Sequence, residues 1–485
     1  MPSTRRHSLI PVLICLLAGC TLGPDYKRPQ VSLPDAWQAT PALTGAEAGL
    51  TNSAWWSAFG DPVLDALIRS ALDDNKNLRI AAYRIEQFEA RVQVTASAGK
   101  PQVSAGASRT RDTLSQNKQV PLAVGTEPVD NAYMAAGAVN WELDFWGRFR
   151  RANEAAQAEL LAAEENRRAL VLTLVAELAS AYLRLRTLDS ELDLLSRLAD
   201  SRRESLRLLE LKLAGGGSSE LPVLQARAEL EEALAELPAK ENQIVELEHA
   251  LSLLLGRDPG PIPRGKTLQA LALPAVPGGL PADLLVQRPD LRKAEQDLVA
   301  ANARIGVAKA QYLPTIALTT QSGFASNELS KLSLLSSNFG TFGATLLGPI
   351  FTSGRIAGQV REAEAVQREK ATAYLLAVQT ALREVEDALV ANAKMGQRST
   401  IRTRQIRALG DLRDYARKRY EGGRSAYLEV LETERNLLAG ELQQLLTRRD
   451  QYIALVAVYK AMGGGWTVAE PTATSTSQMT KTKHE

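Results

Sequence analysis

The stretch from Arg148 to Ala214, RFRRANEAAQAELLAAEENRRALVLTLVAELASAYLRLRTLDSELDLLSRLADSRRESLRLLELKLA, carries the strongest structural signal in the chain and contains no Gly or Pro. Its apolar residues step alternately by four and by three positions, with Arg202 as the only interruption: Leu174, Leu178, Ala181, Leu185, Leu188, Leu192, Leu195, Ala199, Leu206, Leu209 and Leu213. An apolar residue every 3.5 positions predicts a helix that buries one seam against another helix. At about 1.5 Å per residue, this helix would be roughly 100 Å long.

The sequence after this stretch supplies a partner for the seam. Gly215, Gly216 and Gly217 predict a turn, and a second apolar stripe runs from about Ser219 to Leu255. Ser218 or Ser219 can cap the returning helix, and Pro222 falls in its first turn. Taken alone, this pattern is commonest in a free two-helix coiled coil. Together with the strands described below, it favours helical hairpins held in a ring as a tube of antiparallel coiled coil.

An internal duplication organises the chain. Landmarks recur at an offset of 213 positions in one set and 207 in the other: Leu78-Arg79 as Leu291-Arg292 and Pro101 as Pro314, then Gly147-Arg148 as Gly354-Arg355, Gly215-Gly216 as Gly422-Gly423 and Gly256 as Gly463. Each half therefore has the order helix, strand, strand, very long helix, glycine turn, helix. The second long helix is predicted from Arg355 to about Glu421, and its return from about Ser425 to Met462.

The duplication predicts the domain boundaries. They are a signal peptide over 1–19, a lipidated tether over 20–54, the first repeat over 55–256, a proline-rich linker over 257–281, the second repeat over 282–466 and a disordered tail over 467–485. In the first repeat, helix signals begin near Trp55-Trp56, where Asp61 can cap a helix and Pro62 suits its first position. The helical pattern then continues to about Ala98.

Each half also contains two segments that alternate between apolar and polar residues. They are 101–111, 133–145, a segment with Ile316, Leu318 and Thr320 on one face, and 342–350. Strands of about ten residues with one apolar face fit a membrane barrel with a wet lumen, although a soluble half-buried sheet shows the same alternation. Since four strands cannot close a barrel and lipid does not tolerate an open sheet edge, the barrel interpretation requires further copies of the chain.

The N-terminus predicts export with a lipid anchor. Basic residues 5–7 precede an apolar run from Leu9 to Leu17, which is too short to span a bilayer. The run ends in Leu17-Ala18-Gly19-Cys20, which resembles a bacterial lipobox in which Cys20 is acylated. An ordinary signal peptide, or a short membrane anchor with an incidental cysteine, is the alternative. Thr21 stands where Asp would retain a lipoprotein in the inner membrane, so the outer membrane of a Gram-negative bacterium is the expected location.

Composition argues against nucleic-acid binding and against catalysis. Lysine plus arginine number 57 and aspartate plus glutamate 55, so a net charge of +2 offers no strongly basic surface. The three histidines lie in the signal, in a predicted helix and in the tail, and both cysteines, Cys15 and Cys20, are removed or acylated. We therefore expect no catalytic residue, no metal site and no cofactor apart from the covalent lipid on Cys20.

These features resemble the outer-membrane efflux protein (TolC-like) family, and within it the lipoprotein outer-membrane factors of the nodulation-protein-T/OprM type. The residues that carry the resemblance follow one another in family order: Leu17 to Cys20, Trp55-Trp56, Phe59-Gly60-Asp61-Pro62, Glu142 to Arg148, Arg288 to Leu291, Ala300 to Gly306, Gly348 to Phe351, Gly354-Arg355 and Gly463 to Trp466. The resemblance therefore covers nearly the whole chain.

The resemblance implies a homotrimer in which four β-strands per chain contribute to a 12-stranded barrel in the outer membrane, and long helices form a tunnel across the periplasm. It implies an exit duct that exports small molecules such as drugs from a periplasmic adaptor and an inner-membrane pump. The turns at Gly215, Gly216, Gly217, Gly422 and Gly423 would be the docking sites of the adaptor. A duct for protein secretion, or a coiled-coil lipoprotein without a pore, is the alternative; the alternating strands argue against the latter.

The resemblance also implies a periplasmic gate. It places Tyr420 at the family's gate tyrosine, and Glu429 and Glu432 at two acidic positions that a trimer would turn into cation-selecting rings. A solvated helix face is the alternative for the two glutamates. Two departures predict rewired bonding: Ser425 stands at the gate-arginine position, with Arg424 one step away, and Pro222 stands at the first-half acidic position.

Overall fold

The computed structural model describes residues 21–37, 54–113, 115, 129–217, 219–274, 276 and 283–464. The predicted signal peptide, Cys20, residues 38–53 of the tether, Ser218, the last part of the linker, Trp466 and the tail lie outside the described residues. Within the described ranges, no helix combines the length and the apolar character needed to cross a membrane.

The described chain is mainly helical, with four strands. A short 3₁₀ helix, Trp55–Phe59, comes first, followed by α1 (Pro62–Asp74), α2 (Lys76–Ser97), β1 (Gln102–Thr113), β2 (Val129–Leu143), α3 (Arg148–Ala214), α4 (Glu220–Leu254), α5 (Leu284–Gln287), α6 (Pro289–Ala310), β3 (Thr315–Ser326), β4 (Asn338–Leu347), α7 (Arg355–Glu421) and α8 (Tyr427–Ala461). The predicted fold class is thereby confirmed for one chain. The two 67-residue helices, α3 and α7, begin and end where the sequence predicts.

The first helical stretch differs from the prediction, because it is interrupted at Asn75 instead of continuing to about Ala98. The Asn75 Oδ1 atom accepts hydrogen bonds from the backbone N–H groups of Asn77 at 2.9 Å and Leu78 at 3.2 Å. An Asn that satisfies two such donors starts a new helix rather than continuing the old one.

Four pairs of equivalent elements have equal lengths: 67 residues in α3 and α7, 35 in α4 and α8, 22 in α2 and α6, and 12 in β1 and β3. Contacts recur at the same offsets. The Asn75 side chain donates to the carbonyl oxygen of Leu254 at 2.8 Å, and Arg288 donates to that of Ala461 at 3.0 Å. Each half therefore ties the residue before its 22-residue helix to the end of its 35-residue helix.

The four strands form one antiparallel sheet in the order β1-β2-β3-β4. The register pairs Val103 with Val139, Val139 with Thr320, and Thr320 with Phe342. Directly opposite residues project to the same face, and successive residues along a strand to opposite faces. The apolar sets predicted on the separate strands therefore share one face of the sheet. In the described chain, the outer edges of β1 and β4 have no strand beside them.

β2 and β4 end earlier than predicted, for local reasons. β2 ends at Leu143, because the Asp144 side chain accepts from two backbone N–H groups in the first turn of α3, at 3.1 and 2.9 Å, and so turns the chain into the helix. β4 ends at Leu347, because Pro349 follows closely and has no N–H to donate to a sheet.

The described chain divides into two compact units, and each draws on both halves of the sequence. The first contains residues up to 30, 84–163 and 293–374, and therefore holds the sheet. Within it, the N-terminal segment, residues 21–30, is held by side chains of the helices. Arg151 donates to the carbonyl oxygen of Leu22 at 3.2 Å and to Asp25 at 2.6 Å.

Two further contacts hold the same segment. Arg28 donates two hydrogen bonds of 2.6 Å to the Glu295 carboxylate, in a bidentate arrangement. Leu22 approaches α6 so closely that a Cβ added to Gly306 would lie 2.4 Å from its carbonyl oxygen. The described part of the predicted tether, residues 21–37, contains no helix or strand, and residues 21–30 are anchored to the body of the unit.

The second unit contains residues 31–83, 164–292 and 375 onwards. At its centre, the fully buried Asp61 caps α1 as predicted, accepting from the N–H of Val63 at 3.0 Å. The same carboxylate accepts from the Tyr182 hydroxyl at 2.7 Å and from the N–H of Lys266 at 3.0 Å. Burial and this hydrogen bond to Asp61 raise the pKa of Tyr182. Residues of the predicted linker are thus bound into the core.

Candidate gate and docking turns

The two predicted docking turns have matching backbone geometry. The N–H groups of residues 215–217 donate to carbonyl oxygens in the last turn of α3 at 3.0, 3.0 and 2.8 Å, and those of residues 422–424 donate to the last turn of α7 at 3.1, 3.0 and 2.8 Å. Gly216 and Gly423 have φ values of 72° and 67°, a left-handed conformation that favours glycine after a helix. Because the glycines are exposed, both turns present backbone to the solvent.

The starts of the helices after the turns differ from the predictions at Ser219 and at the beginning of α8. Ser219 occupies the N-cap of α4, but its side chain makes no capping hydrogen bond, and Ser218 is outside the described residues. α8 begins at Tyr427, two residues later than expected, with Ala426 at its N-cap. Pro222 lies in the first turn of α4 as predicted.

Tyr420, the predicted gate tyrosine, contacts the other hairpin of the same chain. The Lys212 ammonium lies 3.3 Å from its hydroxyl oxygen and 4.7 Å from the centre of its ring, within the range of a cation–π interaction. The Tyr420 ring also lies 5.3 Å from the ring of Tyr427, whose pKa is raised by burial. Sequence reasoning missed Lys212, because nothing in the local pattern of α3 indicates a contact 208 residues away.

The two predicted acidic positions differ in their surroundings. Glu429 is paired with Arg419 at 2.9 Å, and both side chains are roughly two-fifths exposed. Glu432 is exposed, and no ion pair to it is found among the described residues. Glu429 and Glu432 stand three positions apart on α8, which places them on one side of the helix. Of these two carboxylates, Glu432 is therefore the one without an ion pair among the described residues.

The predicted substitute for the gate arginine does not bind through its side chain in the described chain. The backbone carbonyl of Arg424 accepts a weak hydrogen bond from Arg419 at 3.4 Å, while its side chain is exposed. The Ser425 hydroxyl is buried and has no hydrogen-bond partner among the described residues. Arg419, rather than Arg424, thus supplies the guanidinium that binds Glu429.

Arg202 forms a buried junction of charges that the sequence flagged only as a break in the apolar seam. Its side chain is 2% exposed and lies 2.8 Å from Glu434 and 3.7 Å from Glu229. Arg417 completes the junction at 3.1 Å from Glu434. A buried cation requires a partner. An arginine in the apolar seam of α3 therefore already indicates that an anion faces Arg202, but the neighbouring sequence does not show which residue supplies that anion.

No metal centre is indicated in the part of the chain that the structure describes, where no group of three or more His, Cys, Asp or Glu side chains could hold an ion. Cys20, the predicted lipidation site, precedes the first described residue. The arrangement at the turns consists of polar and aromatic contacts between helix ends. Such contacts can hold helices together or release them.

Residues 67–257 and 280–464 match the outer membrane efflux protein family. The chain is 36% identical over 478 residues to the toluene efflux pump outer membrane protein TtgF of Pseudomonas putida, covering 95% of this chain and 97% of that protein. It is 30% identical over 457 residues to the probable outer membrane lipoprotein SilC of Salmonella typhimurium, covering 93% and 97%. Both likenesses extend over almost the full length of each chain.

Among solved structures, the fold matches that of the MtrE outer membrane channel of Neisseria gonorrhoeae, whose open state was crystallised, with a TM-score of 0.82. The two share 29% sequence identity, over 92% of this chain and 99% of that one. The likeness therefore includes both the long helices and the sheet.

Proposed function

Since the chain belongs to the outer membrane efflux protein family, we propose that three copies of it form the outer-membrane exit duct of a tripartite efflux system. Transport through this duct is passive, because the inner-membrane pump supplies the energy. The cargo consists of small molecules such as drugs or solvents, as the name of the toluene efflux relative suggests. That name also favours small molecules over secreted proteins.

The observation that carries the proposal is the four-stranded sheet. Its register gathers the apolar sets that the sequence predicts for the four strands on one face, and large apolar side chains on that face, such as Phe342 and Leu346, are about 70% exposed or more. An exposed apolar sheet face of this kind suits contact with lipid. The unpaired edges of β1 and β4 are not tolerated in lipid unless other strands cover them. Three copies, with twelve strands, supply that cover.

We assign the ends of the helical hairpins to the periplasmic side of the duct. The exposed glycine turns at 215–217 and 422–423 suit docking of an adaptor, because they offer backbone groups and two copies of one geometry. Tyr420, with its contact to Lys212, and the pair of Glu429 with Arg419 hold the helix ends together as gate contacts. Arg424 lies next to these gate contacts in the chain, and its exposed side chain can bind another copy or the adaptor.

The remaining parts of the proposal concern anchoring and chemistry. A lipid on Cys20 anchors the N-terminal segment to the outer membrane, and contacts of Arg151 and Arg28 hold that segment on the body of the first unit. The two repeats, over 55–256 and 282–466, each supply one strand pair and one helical hairpin to the ring. The duct works without an enzymatic step and without a cofactor other than the lipid.

The test uses the full chain purified from outer membranes in detergent. We expect a trimer by analytical ultracentrifugation and stepwise ion conductance in planar lipid bilayers. Membranes from cells that lack the gene, extracted in the same way, provide the control for contaminating porins. A monomer that gives no conductance above this control would refute the proposal.

A further inference from the structure

We infer that β4 of one copy pairs with β1 of the next copy in a register that the chain itself specifies, with Leu346 opposite Ala107 of the next copy. The inference rests on the proposed trimer and adds the residue-by-residue seam between its subunits. It follows from the duplication, because the seam between the two halves of one chain is a template for the seam between two chains.

The duplication preserves the register within each strand pair. β1 pairs with β2 so that Gln102 faces Asn140. The sequence repeat has an offset of 213 positions for Gln102 and of 207 for Asn140. These offsets lead from Gln102 to Thr315 and from Asn140 to Leu347. These two residues are indeed opposite each other in the β3–β4 pair. The two hairpins are therefore copies of one unit, down to the single-residue register.

The join between the two hairpins can be transferred in the same way. Within one chain, β2 of the first hairpin lies beside β3 of the second, and Val139 faces Thr320. The strand equivalent to β2 in the second hairpin is β4, and the strand equivalent to β3 in the next copy is β1. Moving Val139 forward by 207 positions gives Leu346, and moving Thr320 back by 213 gives Ala107. By the same rule, Ala138 and Gln321 give Thr345 opposite Ser108 of the next copy.

The faces of the sheet provide an independent check on this register. Ala107 lies opposite Ala135 and so belongs to the apolar face, as does Leu346, which lies opposite Ile316. The transferred register therefore continues the apolar face across the seam. A slip by one residue would set the apolar face of one copy against the polar face of the other.

The free edge of β4 is also unprotected in the way that a pairing site requires. β4, NFGTFGATLL, contains no proline and no charged residue. β1, QVSAGASRTRDT, contains no proline, and its three charged residues lie in its second half, at Arg109, Arg111 and Asp112. Edge strands of monomeric proteins usually carry such features to prevent pairing. The transferred register also sets Phe342, which is 77% exposed, opposite Arg111 of the next copy. Within the chain, the guanidinium of Arg109 already lies 5.6 Å from the ring of the directly opposite Tyr133.

Disulfide cross-linking in the full-length protein tests the register. Directly opposite residues of an antiparallel pair have Cα atoms about 4.5–5.5 Å apart, within the range of a disulfide. We expect Leu346→Cys with Ala107→Cys, or Thr345→Cys with Ser108→Cys, to give covalent trimers on non-reducing gels that disappear on reduction. The two pairs are adjacent, so one of them has the closer, non-hydrogen-bonded spacing.

Three controls make the result specific. Leu346→Cys with Ala105→Cys keeps the face but shifts the register by two residues, which separates the pair by more than about 7 Å and should lower covalent trimer yield about tenfold or more. Val139→Cys with Thr320→Cys is the equivalent pair within one chain and should close without joining copies. The unmodified chain, in which we expect Cys15 to be removed and Cys20 to be acylated, should form no covalent trimer and sets the background.

The outcomes separate this inference from the proposed function. Trimers that conduct ions, but cross-link through the shifted pair rather than through the two predicted pairs, would overturn the register and leave the duct intact. The same holds if neither predicted pair joins copies while the intrachain pair closes. A chain that is monomeric and does not conduct would overturn both.

Discussion

Removing one partner from the buried junction at Arg202 should loosen the hairpin ends, and the size of the effect should depend on which partner is removed. Arg202 is 2% exposed, and its near partner is Glu434 at 2.8 Å. In Glu434→Gln, the buried guanidinium keeps only Glu229, at 3.7 Å. Breaking a buried ion pair from one side costs about 3 kcal/mol or more, because the remaining charge stays buried.

The opposite substitution should cost less. In Arg202→Met, Glu434 keeps Arg417 at 3.1 Å, so its carboxylate remains paired, and the methionine can occupy the apolar seam. We expect a loss of about 1–2 kcal/mol, close to that of a hydrogen bond to a charged group. The double variant removes both charges from the seam and should cost less than the two single variants together, by about 1 kcal/mol or more.

Hydrogen exchange, measured by mass spectrometry on the purified trimer, reports the loss of stability of the helices around Arg202 in each variant. Since each 1.4 kcal/mol is about tenfold in an equilibrium, amides around position 202 in α3 should exchange roughly 100-fold faster in Glu434→Gln. Arg203→Met is the matched control, because Arg203 is 57% exposed beside an exposed Asp200 and its ion pair should contribute at most about 0.5 kcal/mol. If Glu434→Gln exchanged no faster than Arg203→Met, the reasoning from burial would be wrong.

Three further predictions concern anchoring and the gate. Gly306→Ala should release the N-terminal segment, because the new methyl group would lie 2.4 Å from a backbone oxygen of that segment. Limited proteolysis should then remove the segment faster than in the unmodified protein. Gly358→Ala is the control, because no atom lies within 4 Å of the position of its added methyl group. Cys20→Ser should abolish incorporation of labelled palmitate, and continued labelling would exclude acylation at that position. Glu432→Gln should lower the cation-to-anion permeability ratio in planar bilayers more than Glu429→Gln does, because the charge of Glu429 is already compensated by Arg419. Unchanged selectivity in both variants would indicate that the two glutamates belong to an ordinary solvated helix face.

The long helices and their turns were predictable because their causes are local. A seam repeated every 3.5 residues, without Gly or Pro, determines where α3 runs, and the left-handed glycines determine where it turns. The duplication extended the same prediction to α7. The break at Asn75 was missed although its cause is also local, because the apolar period continues through it and hides the cap.

The amino-acid sequence by itself determined the fold class, the repeat, the bounds of the two longest helices and the positions of the turns, since each depends on residues that are neighbours along the chain. Only the tertiary structure decided which groups meet: Arg202 with Glu434, Tyr420 with Lys212, and the sheet order that leaves β1 and β4 at the edges. These contacts join residues that are far apart along the chain. The packing of one helix or strand against another selects the partners, and the spacing of apolar residues along the chain does not indicate which residues will meet.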